Sequence, residues 1–437
     1  MNIYLIIVLA AIIGGWMLQT TGAVLGLGRL GAKLPAEFEG SMNEECYARS
    51  QKYAAAGMKL NIIQDTISTG AFLGFLLLGG FGWADAVSRG AGGRIAEWAG
   101  IATSGTGGTS GTGSEIIIGL CFFALLMLLS GVLSLPFSIW HTFVHEARFG
   151  FNKTTPATFV ADRIKGFLLT VIIGGPLAAG VLWLLLWLGA EAWLPVWGLV
   201  TVISLLLTFL APRYLLPLFN TFTPLPDGSL RNAIQVYVER QGYRISGLFA
   251  VDGSRRSAKV NAYFTGLGKE RRIALFDTLM GKLDEEEVVA VVAHEVGHCK
   301  LGHVPVMMII SVARTGFMLW LLSFFLTEPQ LFAAFGVHNV SAHAGLVFFS
   351  LLFTPVSLLT GMGFFVLTRR NEYAADAFAA KTTGRPDVLR TALRKLASEN
   401  LSNLTPHPLQ VALHYTHPPL VQRLQALEAM SISVNSQ

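Results

Sequence analysis

The chain has 437 residues, 52% of them hydrophobic and 14% charged, with a mean hydropathy of +0.54. Soluble domains carry about 25% charged residues, so an ordinary soluble protein is excluded and a lipid-facing one is indicated. The net charge of +5 sits beside apolar runs and not in one patch, which assigns it to loops on the inner side of a membrane and excludes a nucleic-acid partner. Cys46, Cys121 and Cys299 are odd in number and widely spaced. They suit neither a disulfide framework nor a thiolate metal site and read as small buried side chains.

A bilayer core takes about 20 apolar residues per helix. In chain order, Ile3–Leu18, Thr66–Trp83, Ile116–Ile139, Phe167–Leu188, Leu194–Leu215, Val304–Leu326 and Ala344–Leu367 meet or approach that length, predicting seven spans. The first lacks the basic n-region of a signal peptide and reads as an uncleaved span. Lys- and Arg-rich loops alternate with poor ones at every crossing, which places the N-terminus outside and the C-terminus in the cytoplasm. The Gly/Ser/Thr-rich run Ile101–Ser114 reads as a flexible outer loop. No repeat of 20–50 residues is visible, which withholds support from an internally duplicated transporter.

The soluble region, about Pro212–His303, predicts short strands at Leu248–Val251, Val260–Thr265 and Ile273–Phe276, the last two joined as a hairpin through Gly266-Leu267-Gly268. Asp284 with Glu287 three residues on forms a capping-box signal, predicting a helix from Glu285 to about Leu301. On it lies His294-Glu295-Val296-Gly297-His298, an HExxH sequence. Histidines four apart project about 40° from one another on a helix, so both imidazoles reach one metal ion. Glu295, one step round, reaches a metal-held water as its general base.

A catalytic zinc needs a third protein ligand. The next cluster, Arg369 to Asp376, offers Glu372 and Asp376 on one helical face; one can bind metal while the other orients a ligand histidine. His303, half a turn from His294 on a continued helix, is a poor third ligand and reads as structural. Arg314 falls inside the sixth span, where it either faces a polar cavity or snorkels.

These residues resemble the integral-membrane CAAX prenyl endopeptidases, zinc proteases of gluzincin type. His145 to Thr155 reads as the family's EExFGFNxxT segment, with His145 in the first acidic position. Leu218-Phe219-Asn220, Thr223-Pro224-Leu225, Asp252-Gly253-Ser254, Asn261 to Gly266, Leu275 to Leu279, Glu372 to Asp376 and His417-Pro418-Pro419 match its style in the right order. The resemblance implies a mostly α membrane protein whose seven helices wall a chamber capped by an α+β zincin-type domain. It divides the chain into a five-span membrane domain (1–211) and a metallopeptidase domain (212–437) holding the spans 304–326 and 344–367. It implies one zinc ion with Glu372 as third ligand, and Asp376 as a supporting or proton-donating catalytic residue. It further implies Asn261, Ala262, Tyr263 and Phe264 as a substrate-binding edge strand, and His417 in support of the oxyanion or the zinc site. The partners implied are a peptide or protein substrate, prenylated or not, and membrane lipid. The loop charges put the active site on the cytoplasmic side, and the compact interval from His298 to Glu372 suggests a bacterial inner-membrane protein. The competing readings are a membrane quality-control protease and a metal channel; the latter predicts ligands within the spans.

Overall fold

The computed structural model describes residues 2–101, 111–243, 245–265 and 272–435. Helix α1 (Ile3–Arg29) is capped by Asn2, whose side chain accepts from the Tyr4 N–H at 2.9 Å. Helix α2 (Glu44–Leu77) begins at Asn43, which accepts from the Cys46 N–H. The expected second span, Thr66–Trp83, is corrected here. Gly79 adopts a left-handed conformation (φ 76°) that a side chain disfavours, so α2 ends at Leu77 and a separate helix α3 (Gly80–Trp98) follows. Ion pairs of Arg89 with Asp85 (2.9 Å) and Glu115 (3.3 Å) tie α3 to α4 (Thr112–Trp140), and Asp85 also meets His343 at 3.0 Å. Of the expected outer loop, residues 102–110 lie outside the described residues, and Thr112–Ser114 already belong to α4.

Helix α4 runs on into a π-helical turn, His141–Glu146. Helices α5 (Pro156–Leu169), α6 (Gly175–Leu188) and α7 (Trp193–Leu210) form part of one helical run of 63 residues, Pro156–Leu218. A bilayer needs about 20, and Gly189 (φ 57°, ψ −130°) breaks the run. Leu199 then lies 3.2 Å from where a Cβ on Gly180 would stand, so the chain doubles back. By length and composition five helices can cross a membrane, or six with the bent pair below. The expected seven counted the two arms of the doubled-back run separately.

The remaining elements are β1 (Phe222–Pro224), α8 (Ser229–Arg240), β2 (Gly247–Val251), β3 (Ala262–Thr265), β4 (Arg272–Phe276), α9 (Asp277–Met280), α10 (Glu285–Lys300), α11 (His303–Phe325), α12 (Pro329–Ala334), α13 (Ala342–Leu352), α14 (Thr354–Thr383), α15 (Pro386–Glu399), α16 (Pro408–His414) and α17 (Leu420–Asn435). The expected last span is split: α13 and α14 meet at 57°, where Pro355 lacks the N–H needed to continue the ladder. The sheet order is β1-β2-β4-β3, with β2 and β4 parallel and the other neighbours antiparallel. β3 pairs with β4 from Ala262 opposite Leu275 to Thr265 opposite Arg272, as a hairpin requires; the Gly266–Gly268 turn lies outside the described residues. β3 is therefore an edge strand.

The main core packs Ile234, Leu275, Val292, Leu389 and Leu424 together with Phe38 and Met42 from the α1–α2 connection and Tyr47 from the first turn of α2. Residues near the N-terminus thus belong to the core beneath α10. The half-buried Cys46 and Cys299 pack against it too.

Candidate active site

The capping box predicted at the start of α10 is present: Asp284 caps the first turn and Glu287 accepts from the Asp284 N–H at 2.8 Å. That start fixes the rotation of the helix and so the direction of His294 and His298. Helix α14 crosses at Gly297, where an added Cβ would lie 3.2 Å from the Cα and carbonyl oxygen of Ala375. A side chain there would push the two helices apart by a few tenths of an ångström. Ala375 is flanked by Glu372 and Asp376, so the contact delivers both acids to the histidines.

His294 Nε2 and His298 Nε2 are 3.1 Å apart, His298 Nε2 is 3.2 Å from Glu372 Oε1, and His294 Nε2 is 3.4 Å from Glu372 Oε2. Ligands held at about 2.0–2.2 Å around tetrahedral zinc stand about 3.4 Å apart, which these separations match. Glu372 Oε2 is buried and, among the described residues, receives no well-directed hydrogen bond, His294 Nε2 and Arg423 Nη1 each standing 3.4 Å away, which leaves it able to bind a metal. Charge agrees. Glu295, Glu372 and Asp376 face a single buried guanidinium, Arg423, so neutral imidazoles leave two negative charges for a dication to balance. Burial opposes a charge on His294, yet hydrogen bonds to Asp376 and Glu372 outweigh it and push the imidazole up to about 9. The same carboxylates would hold a dication in place of that proton.

Of the two expected roles for Asp376, supporting or proton-donating, its contacts favour the supporting one. Its Oδ1 lies 2.8 Å from His294 Nδ1, and Arg423 donates to both of its oxygens at 2.7 Å. It is buried away from the cavity that Glu295 lines, and it holds the His294 ring so that Nε2 points at Glu372. Asp376→Ala is expected to weaken zinc binding about 10–100-fold, measured by competition with a chelator of known affinity.

Glu295 lines a cavity of ≈ 630 Å³ with Asn261, His294, Glu372, His417 and Arg423. Burial raises its carboxyl above the ordinary carboxylate range, against the pull of His294 and His298. Of the expected substrate strand, Asn261 reaches this cavity and Ala262, Tyr263 and Phe264 lie in β3 at the sheet edge. His417 Nε2 is 3.4 Å from Glu372 Oε1, with Nδ1 held by the Thr416 hydroxyl at 2.9 Å. A second, mainly apolar cavity of ≈ 420 Å³ opens beyond His298, walled by Val304, Met307 and Met308 of α11.

One supporting residue, Arg423, escapes the sequence reading, while His303, which reads as a structural histidine half a turn away on a continuous helix, takes up a different position. The helix stops before Gly302 (φ 70°), and His303 opens α11 with its Nδ1 2.9 Å from His298 Nδ1. Arg423 lies in the first turn of α17 among Leu420, Leu424 and Leu427; an arginine on the apolar face of a helix starting after two prolines was the available signal. Counted back from Phe149, the acids of EExFGFN fall on Glu146 and Ala147, so His145 precedes the motif. Glu146 accepts from the Tyr53 hydroxyl (2.5 Å) and from Lys259 (3.1 Å). Arg314 is exposed on α11.

Fold and cluster together define a multi-pass membrane metalloprotease. Residues 27–221 match the CAAX prenyl protease N-terminal family, described as five membrane helices, and residues 224–431 match peptidase family M48. A CAAX prenyl protease 1 homolog of Oryza sativa subsp. japonica is 36% identical, with 90% of each chain covered. CAAX prenyl protease 1 of Saccharomyces cerevisiae is 32% identical over 91% of this chain and 89% of its own. The crystal structure of S. mikatae Ste24p matches with a TM-score of 0.88 at 30% identity, covering 97% of this chain and 99% of that one. The chain belongs to peptidase family M48, in its CAAX prenyl protease branch. It is a zinc metalloprotease, and its fold is the expected one of membrane helices around a chamber joined to an α+β protease domain.

Proposed function

We propose that the chain cleaves C-terminal CAAX-type peptides of prenylated, membrane-anchored proteins, with His294, His298 and Glu372 as the zinc ligands. The observation that carries this reading is the convergence of those ligands, at zinc-like separations, between a cavity of mixed lining reaching Asn261 and an apolar one along α11. When bound, zinc supplies Lewis acidity, acidifying water and polarising a carbonyl. The protein's own groups do the rest. The β3 edge takes the substrate backbone as an added strand, which leaves its side chains free for pockets. Glu295 removes the proton from the attacking water at its carboxylate and returns it to the leaving nitrogen. His417, beside Glu372 and open to the cavities, donates to the developing oxyanion. The apolar walls of Val304, Met307 and Met308 suit the aliphatic residues of such a peptide or its lipid.

Division into residues 1–211 and 212–437 remains our reading of the chain, with the protease part drawing Phe38, Met42 and Tyr47 into its core. The alternation of loop charge supports an active site on the cytoplasmic side, with lipid around the spans. The compact interval between His298 and Glu372 supports a bacterial inner membrane.

The test compares a farnesylated and an unfarnesylated CAAX peptide, with and without a zinc chelator, using purified protein. Faster cleavage of the farnesylated peptide, abolished by the chelator and restored by zinc, is expected. Equal rates on both peptides would remove the prenyl group from the proposal, and chelator-resistant cleavage would remove the zinc ligands.

A further inference from the structure

A second set of metal-type ligands lies where α4 ends. The helix widens there into the π turn His141–Glu146. Each backbone hydrogen bond in such a turn spans five residues, so positions four and five apart come onto one face. His141, His145 and Glu146 have this spacing, and one ligand atom from each lies within 4.8 Å of the others. His141 Nε2 is 3.7 Å from Glu146 Oε1, close to the separation of about 3.4 Å between two ligands on tetrahedral zinc.

We propose that His141, His145 and Glu146 form a second binding site, separate from the catalytic centre, for a borderline divalent transition cation such as zinc. Two imidazoles and a carboxylate are the donors such ions select, whereas magnesium and calcium take oxygen. The site is also organised. The His145 ring stacks on Tyr53 (4.7 Å between centroids) and leans on Phe149 (5.5 Å), which limits its rotation. His145 and Glu146 are buried while the His141 side chain is 53% exposed, so a cation enters past His141. Glu146 Oε1, the oxygen nearest His141, already accepts from Tyr53 and Lys259. Each carboxylate oxygen has about two lone-pair sites, so a cation between Oε1 and His141 takes the place of the Lys259 ammonium. Lys259 is the one cation in contact with Glu146 among the described residues, and it competes with the metal for that carboxylate.

The test counts metal. Full-length protein, purified with a histidine-free tag, is equilibrated in buffered micromolar free zinc and its zinc measured by elemental analysis. Wild type is expected to hold two equivalents, and His141→Gln one with its peptidase activity kept. His294→Ala is expected to lose the other equivalent, so failure here is distinguishable from failure of the catalytic assignment. Because His141 is exposed, its replacement leaves the packing around Tyr53 undisturbed. Lys259→Met, by removing the competing ammonium, is expected to tighten the second equivalent at least several-fold. A single equivalent in wild type, or two retained in His141→Gln, overturns the proposal.

Discussion

Glu295→Gln is expected to lower kcat by about 10²–10⁴-fold, the usual contribution of a positioned acid–base group, while zinc content and melting temperature stay those of wild type. The amide keeps the size and shape of the carboxylate but cannot take a proton. None of the contacts that align His294, His298 and Glu372 involves the Glu295 side chain; they run to Asp376, His303 and Arg423. Burial raises the Glu295 carboxyl above its ordinary value, which increases its affinity for the proton of the attacking water. Turnover within tenfold of wild type would assign the base to another group. Lost turnover together with lost zinc would make Glu295 a structural support instead.

Arg423→Ala is expected to have the largest effect on stability. The guanidinium is buried against Asp376, at 2.7 Å from both oxygens, and lies 3.4 Å from Glu372. Removing one partner of a buried pair costs about 3–5 kcal/mol, because the remaining charge stays out of water without compensation. Here the uncompensated charge is negative, and a zinc dication offsets it. The loss should therefore be larger in chelator-treated protein than in zinc-loaded protein, read as two melting temperatures for each form. An equal drop in both would mean that Arg423 acts through packing alone.

Much of the membrane architecture is legible in local composition, because a bilayer imposes both length and apolarity on any helix that crosses it. Where the reading slipped, one residue redirected the backbone. Gly79 ends α2 ahead of the predicted span boundary, Gly189 folds a helical run back on itself, and Gly302 turns His303 onto His298. Around Gly189 the apolar content is alike on both sides, so hydropathy does not register that break. Pro355 at the start of α14 has the same effect on the last span.

For the zinc centre, the sequence by itself determined the pair His294 and His298 with Glu295 between them. Their relation is set by the pitch of one helix and by a capping box ten residues earlier. It determined that Glu372 and Asp376 share a face, for the same reason, but not which of them stands with the two histidines as the proposed third ligand. That choice belongs to the tertiary structure. The crossing of α10 and α14 at Gly297 and Ala375 brings together groups 82 residues apart, setting Glu372 against Nε2 and Asp376 against Nδ1 of His294. Arg423, 129 residues from His294, enters from a third helix and supplies the charge that lets the two acids stay buried. Such contacts depend on helix crossings and not on helix periodicity, so no local pattern encodes them.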